Sequence, residues 1–331
     1  MHRRSLLTRT AIALVAASVL AGVAVWSTRS ADRGEGSQDA SATEYAAPSV
    51  PAVPLPESSP RPPDPDPART AGPFVTYNTY PGATQAQWGK YSIALERDGR
   101  YYLLSAGHVG GKVGAHLEIG WPVPTPAVVS HTTRRWDDDF GSITGGSGLD
   151  MSMVDTGPVP IAPTLTLSAA EGATADDVVT VPAGDGSDRV TLPRTARIAA
   201  VADDLDTGAI VCQTGAEWFA SEYTAAAGNV RCGRLSAPCP TSSDVCSFTG
   251  LDAAPAVAAN DSGNPVWVPR ADGTVAVLGI VYAAGGCGKT ASACSSGLFT
   301  RVQAYTRRDW AAEETLTGSP TGAGGRIVVA H

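Results

Sequence analysis

The chain has 331 residues, and 24 Lys plus Arg against 32 Asp plus Glu give a formal net charge of −8. Hydrophobic residues make up 43 % and charged residues 17 %, enough apolar material for a core, which excludes a wholly disordered chain. The acidic balance argues against a nucleic-acid binder, and 36 Gly, 25 Pro and 6 % aromatics suit an all-β chain of one large or two small domains.

Residues 1–29 read as an export signal or N-terminal anchor. Arg3, Arg4 and Arg9 precede 16 uncharged residues from Ala11 to Trp26. As a helix that run rises about 24 Å, short of a hydrocarbon core of about 30 Å, so a cleaved signal is expected. Arg3-Arg4-Ser5-Leu6-Leu7 also fits a twin-arginine pattern, and the export route stays open. Residues 30–71 are expected to be a Pro-rich disordered linker. Nine of the twenty residues from Pro48 to Pro67 are proline, which fixes φ and lacks an amide donor. Such a spacer could stand a domain off a cell envelope or form a short pro-region. The predicted domain covers 72–314, and 315–331 reads as a flexible C-terminal tail.

Within the body, Tyr91–Leu95 and Tyr101–Leu104 flank Asp98-Gly99, a hairpin signal. Val266–Val268 and Val275–Tyr282 flank Ala271-Asp272-Gly273 and predict a second hairpin. Helix is expected only near the end, from Val302–Tyr305 toward Trp310–Ala312.

The six cysteines, Cys212, Cys232, Cys239, Cys246, Cys287 and Cys294, suit an oxidising compartment and three disulfides. Fifteen pairings are open, and the sequential set is expected. Gaps of six residues are wide for paired zinc ligands. No metal and no organic cofactor are expected, and Asp137–Asp139 reads as a solvated acidic loop.

Three short motifs bear chemistry: Ser105-Ala106-Gly107-His108 after a strand, Asp150-Met151-Ser152-Met153-Val154 opening one, and Asn260-Asp261-Ser262-Gly263-Asn264-Pro265 before another. A serine hydroxyl becomes a nucleophile when an imidazole takes its proton and a carboxylate orients that imidazole. Glycine beside the serine lets backbone N–H groups approach an oxyanion.

Together these motifs resemble the chymotrypsin-like (trypsin family) serine peptidases, especially secreted bacterial ones. Ser105–His108 is similar to the family's Thr-Ala-Gly-His, and Asp261–Pro265 to its Gly-Asp-Ser-Gly-Gly-Pro. Gly279–Tyr282 resembles the strand that lines the cleft, and Gly297–Val302 with Tyr305 and Trp310 the closing strand and helix. Cys212–Gly215 with Cys232-Gly233 resembles a paired-cysteine loop.

The resemblance implies two six-stranded antiparallel β-barrels with a short C-terminal helix and the site between the barrels. It implies His108 as general base, Asp150 as orienting carboxylate and Ser262 as nucleophile, ahead of Asp137, Asp138, Asp139 and Asp155 as rival acids and of His116 and His131 as rival imidazoles. The oxyanion would be held at Asn260 and Ser262, and the substrate pocket formed by Ala256, Tyr282 and Ala284. No acid stands at Ala256, so a small or apolar P1 residue is expected.

Several positions depart from the pattern. Asn260 replaces a glycine, Val109 a cysteine, and Tyr282-Ala283 a Ser-Trp pair. Gln213 stands where an Arg often pairs with the equivalent of Asp261, and no Ile-Val-Gly-Gly start is visible. The expected function is an exported or envelope-attached monomeric serine endopeptidase acting on peptides or proteins, without nucleic acid. The alternative is a weak or inactive domain of this type serving as a cell-surface binding module.

Overall fold

The computed structural model describes residues 74–78, 87–119, 125–136, 143–146, 148–167, 178–186, 188–216, 228–257, 261–287 and 294–330. The expected export signal or anchor (1–29), the expected Pro-rich linker (30–71), Asp137–Asp139 and Asn260 lie outside the described residues.

The fold is all-β, built from two antiparallel barrels. The N-terminal barrel uses β1 (Phe74–Asn78), β2 (Gln87–Arg97), β3 (Arg100–Ser105), β4 (His116–Ile119) and β5 (Thr125–Thr132). After the short ribbon of β6 (Arg134–Trp136) and β7 (Ile143–Gly146), β8 (Ser152–Gly157) completes it. Hydrogen bonding runs β1-β2-β3-β8-β5-β4, and β4 comes to lie beside β1. The predicted β2–β3 hairpin turns at Asp98 and Gly99, both at positive φ (53° and 73°), as a two-residue turn matched to strand twist requires.

Between the barrels run β9 (Thr164–Thr166), the hairpin of β10 (Val178–Pro182) and β11 (Arg189–Pro193), and β12 (Thr195–Val201). The second barrel is made of β13 (Ile210–Ala216), β14 (Gly228–Leu235), β15 (Val245–Gly250), β16 (Pro265–Pro269), β17 (Val275–Cys287) and β18 (Cys294–Arg301). These six close on themselves in the order β13-β14-β15-β18-β17-β16, with β16 pairing back to β13. Closure leaves no open edge among them. The second predicted hairpin is the β16–β17 pair, turning at Gly273 (φ 78°).

Each barrel is filled by side chains from alternate strand positions. Tyr91, Leu95, Leu104, Val129 and Val154 fill the first; Val211, Phe248, Leu278, Val281 and Phe299 fill the second. The three disulfides are the sequential ones, Cys212–Cys232, Cys239–Cys246 and Cys287–Cys294. The first joins residues directly opposite on β13 and β14. The third joins residues opposite on β17 and β18. The expected C-terminal helix spans Val302–Arg307, followed by a single turn at Trp310–Ala312.

The expectation of a flexible tail at 315–331 is corrected by the structure. β19 (Glu314–Thr315) pairs with β5, and β20 (Arg326–Ile327) pairs with β2. Between them the carbonyl of Pro320 meets His131 Nε2 at 2.8 Å. Beyond β20, Val328 N–H donates to Ala94 O (2.9 Å) and Ala330 N–H to Ile198 O (2.8 Å). The stretches of β2 and β5 that extend past β1 and β4 offer unpaired backbone groups, and this segment satisfies them. Its glycines and polar residues resembled a solvated tail because the gain is in backbone pairing rather than apolar bulk. Among the described residues no helix is long and apolar enough to cross a membrane.

Candidate active site

His108 lies on a one-turn helix, Gly107–Gly110, that follows β3 directly. Asp150 lies just before β8, the strand hydrogen-bonded to β3, so sheet register brings the two motifs together across 42 residues. His108 Nδ1 and Asp150 Oδ2 are 2.5 Å apart, and His108 N–H donates to Asp150 Oδ1 at 2.9 Å. A Cβ on Gly107 would stand 2.8 Å from both Asp150 Oδ1 and Arg134 Cγ. The glycine of the Ala-Gly-His motif is therefore a packing requirement, since any side chain would push the carboxylate off the imidazole.

Asp150 is 3 % exposed. Burial alone would push its carboxyl up, but hydrogen bonds and charge from His108 and Arg134 overcome that and hold it below the usual carboxylate value. The second contact, Arg134 Nε–H to Asp150 Oδ1 at 3.1 Å, has no counterpart in the sequence expectation.

Ser262 sits in the tight turn that opens β16. Gly263 has φ 91°, and its N–H donates to Val281 O (2.7 Å). The turn is tied to the first barrel, because Ser92 Oγ on β2 donates to Gly263 O at 3.0 Å. Ser262 Oγ donates to Tyr282 O at 3.5 Å, and among the described residues no hydrogen bond joins it to His108. Tyr282 in turn faces the carboxylate: burial, and then the charge of Asp150, push its phenol up. The residue whose carbonyl accepts from Ser262 is thus within electrostatic reach of the His108–Asp150 pair. Tyr305 of the helix adds a further tie, donating through its hydroxyl to Ser105 O (2.7 Å).

Asp261, beside Ser262, is 4 % exposed and accepts two hydrogen bonds of 2.7 Å on Oδ2, from Gln213 Nε2 and Arg231 Nη1. Gln213 Oε1 accepts from Asn264 Nδ2 (2.8 Å), so one glutamine links both flanks of the nucleophile turn. Sequence reasoning missed Arg231, although a signal existed. Pairing Cys212 with Cys232 across an antiparallel ladder places Gln213 directly opposite Arg231.

Of the remaining expected residues, Ala256 is fully buried with its carbonyl toward Gln213, and Ala284 is exposed on β17 opposite Gly297. Of the rival acids within the described residues, Asp155 is engaged by Arg100 (2.8 Å) at the far end of β8. His131 is buried between Ser130 Oγ and Pro320 O. Among the described residues no cluster of His, Cys, Asp and Glu could hold a metal ion.

The chain matches no protein-family model and no curated protein. Solved structures do match. Protease A of Thermobifida fusca is 14 % identical over 70 % of this chain and 90 % of that one, with a TM-score of 0.37. A glutamic acid-specific serine protease is 15 % identical over 70 % and 92 %, with a TM-score of 0.35. The alpha-lytic protease homolog N4 is 13 % identical over 70 % and 93 %, with a TM-score of 0.36. The two six-stranded barrels and short helix, read from the strand pairing, are the arrangement that the sequence motifs lead one to expect. Likenesses this distant say nothing of substrate or turnover, which rest on the site's own geometry.

Proposed function

We propose that the protein is an exported serine endopeptidase that works through an acyl-enzyme. The observation that carries the reading is the pair of a half-buried His108 and a buried Asp150 at 2.5 Å, on the same barrel to which Ser92 ties the serine turn through Gly263. Asp150 holds the imidazole with Nδ1 protonated, leaving Nε2 as a base. As Ser262 Oγ leaves Tyr282 O and attacks the scissile carbonyl carbon, its proton passes to His108 Nε2. The carbonyl oxygen becomes an oxyanion, for which the backbone N–H groups of Ser262 and Asn260 are the proposed donors. Its collapse breaks the C–N bond, and the imidazolium gives its proton to the departing amine. Water then repeats the sequence, giving its proton to His108 and its hydroxyl to the acyl carbon, and Ser262 is regenerated.

Arg231 and Gln213 supply Asp261 with partners from within the barrel, which removes the need for a newly cut N-terminus to hold the turn. A small or apolar P1 residue fits the surroundings of Ala256. Val257 is buried beside it, and a Cβ on Gly297 would lie 2.6 Å from Phe248 and 2.7 Å from Val257, so apolar side chains already fill that space. The three disulfides agree with an extracytoplasmic location.

One observation favours a second reading, a weak or inactive cell-surface binding module: the Ser262 hydroxyl is engaged by Tyr282 O rather than by His108. Fluorophosphonate labelling separates the two. Labelling of the parent and none of Ser262→Ala is expected, followed by cleavage of library peptides after small or apolar residues. Folded parent protein that takes no label would leave the binding module as the reading, and cleavage after Lys or Arg would overturn the P1 assignment.

A further inference from the structure

The unexpected contact at the site is Arg134. Asp150 receives three N–H donors, two from His108 and one from Arg134 Nε (3.1 Å), and Arg134 also brings a full positive charge. The stem of Arg134 packs against two glycines. A Cβ on Gly107 would stand 2.8 Å from Arg134 Cγ. A Cβ on Gly146, which has φ 146° on the paired strand β7, would stand 2.3 Å from Thr133 O and 3.1 Å from Arg134 Cα and Cδ, so the two strands approach closely beside this side chain. Arg134 N–H is fixed as well, donating to Thr132 Oγ1 at 3.1 Å.

We infer that Arg134 is a positioning residue for the reaction: it fixes the Asp150 carboxylate and screens its charge from the His108 ring. This rests on the acyl-transfer reading given above. The physical reason is that an unscreened carboxylate stabilises the imidazolium, and a cation on its other oxygen offsets part of that stabilisation. The other titratable groups facing Asp150 are the phenols of Tyr282 and Tyr305, both pushed up by burial and by Asp150 itself, hence uncharged at working pH. Among the described residues Arg134 is therefore the fixed cation at this carboxylate.

The test uses Arg134→Met, which keeps the stem, and Arg134→Lys, which keeps the charge but not the directed Nε–H. With a peptide substrate, the acid limb of kcat/KM in Arg134→Met should move to higher pH by about half to one unit. Its kcat should fall about tenfold with KM nearly unchanged, because the loss is of orientation rather than binding. Arg134→Lys should return the limb to its parental position while recovering kcat only in part. Independently of turnover, the low-field proton resonance of His108 Nδ1 is followed against pH in Ser262→Ala protein, with and without Arg134→Met. The same upward displacement of its midpoint is expected. A midpoint and a limb that stay put in folded Arg134→Met overturn the inference. Parent protein that takes no fluorophosphonate overturns the acyl-transfer reading instead, and the resonance then decides alone whether Arg134 screens Asp150.

Discussion

At the scale of single residues, the site depends on groups that carry no chemistry of their own. Asp261 is a buried carboxylate next to the nucleophile, and an unpartnered charge there would cost several kcal/mol. Arg231 and Gln213 share the task, and Gln213 passes the constraint on to Asn264. Arg231→Met removes the ion pair that Asp261 makes at 2.7 Å. Because Arg231 is a quarter exposed, the stability loss is discounted to about 1–3 kcal/mol, a drop in Tm of several degrees. The turn carrying Ser262 should loosen with it, slowing fluorophosphonate labelling about tenfold. Thermal melting and the labelling rate check the two effects separately, and an unchanged labelling rate would show that the turn holds without Arg231.

At the scale of elements, the segment after the helix behaves as a strap. It adds β19 and β20 to the first barrel, and its last described residues bond to Ala94 on β2 and to Ile198 on β12. β12 is paired to β17 of the second barrel, so the strap ties both halves of the cleft. Ile327 is almost fully buried, and burying one such side chain is worth about 1.5–3 kcal/mol. Ending the chain after Leu316 should therefore lower Tm by several degrees. It should also remove the Pro320 carbonyl from His131. Calorimetry of the shortened protein gives the answer, and a melt identical to that of the full chain would reduce the strap to decoration.

At the scale of the whole molecule, acid should act through the first barrel. His131 is buried against Tyr102 and Trp310. Burial lowers its pKa to about 4, against the opposing pull of its hydrogen bond to Pro320. The folded protein therefore prefers the neutral ring, whereas the unfolded chain protonates near pH 6.5. The resulting stability is complete above about pH 6.5 and is lost as pH falls from there toward 4, roughly 3 kcal/mol in all. Asp150, held below the ordinary carboxylate value, adds a loss in the same direction at still lower pH. Denaturant midpoints measured from pH 7 to pH 4 should fall steadily, and His131→Gln should flatten the decline. A parent protein equally stable at pH 7 and pH 4 would contradict this account.

Local chemistry made much of this legible in the sequence. The Asp98-Gly99 and Asp272-Gly273 turns, alternation in the strands, the spacing of the cysteines and the three short motifs are read within a few residues of chain. They were enough to propose the strands and the disulfides, and the resemblance that the motifs carry implied the barrels and the trio His108, Asp150 and Ser262. Tertiary structure alone decided what approaches those motifs from far along the chain. Arg134 reaches Asp150 beside the tightly packed Gly107, Arg231 reaches Asp261 across a ladder, and the final segment folds back onto β2. Such contacts depend on register and on the space left by neighbouring backbones, and these quantities exist only once the strands have paired.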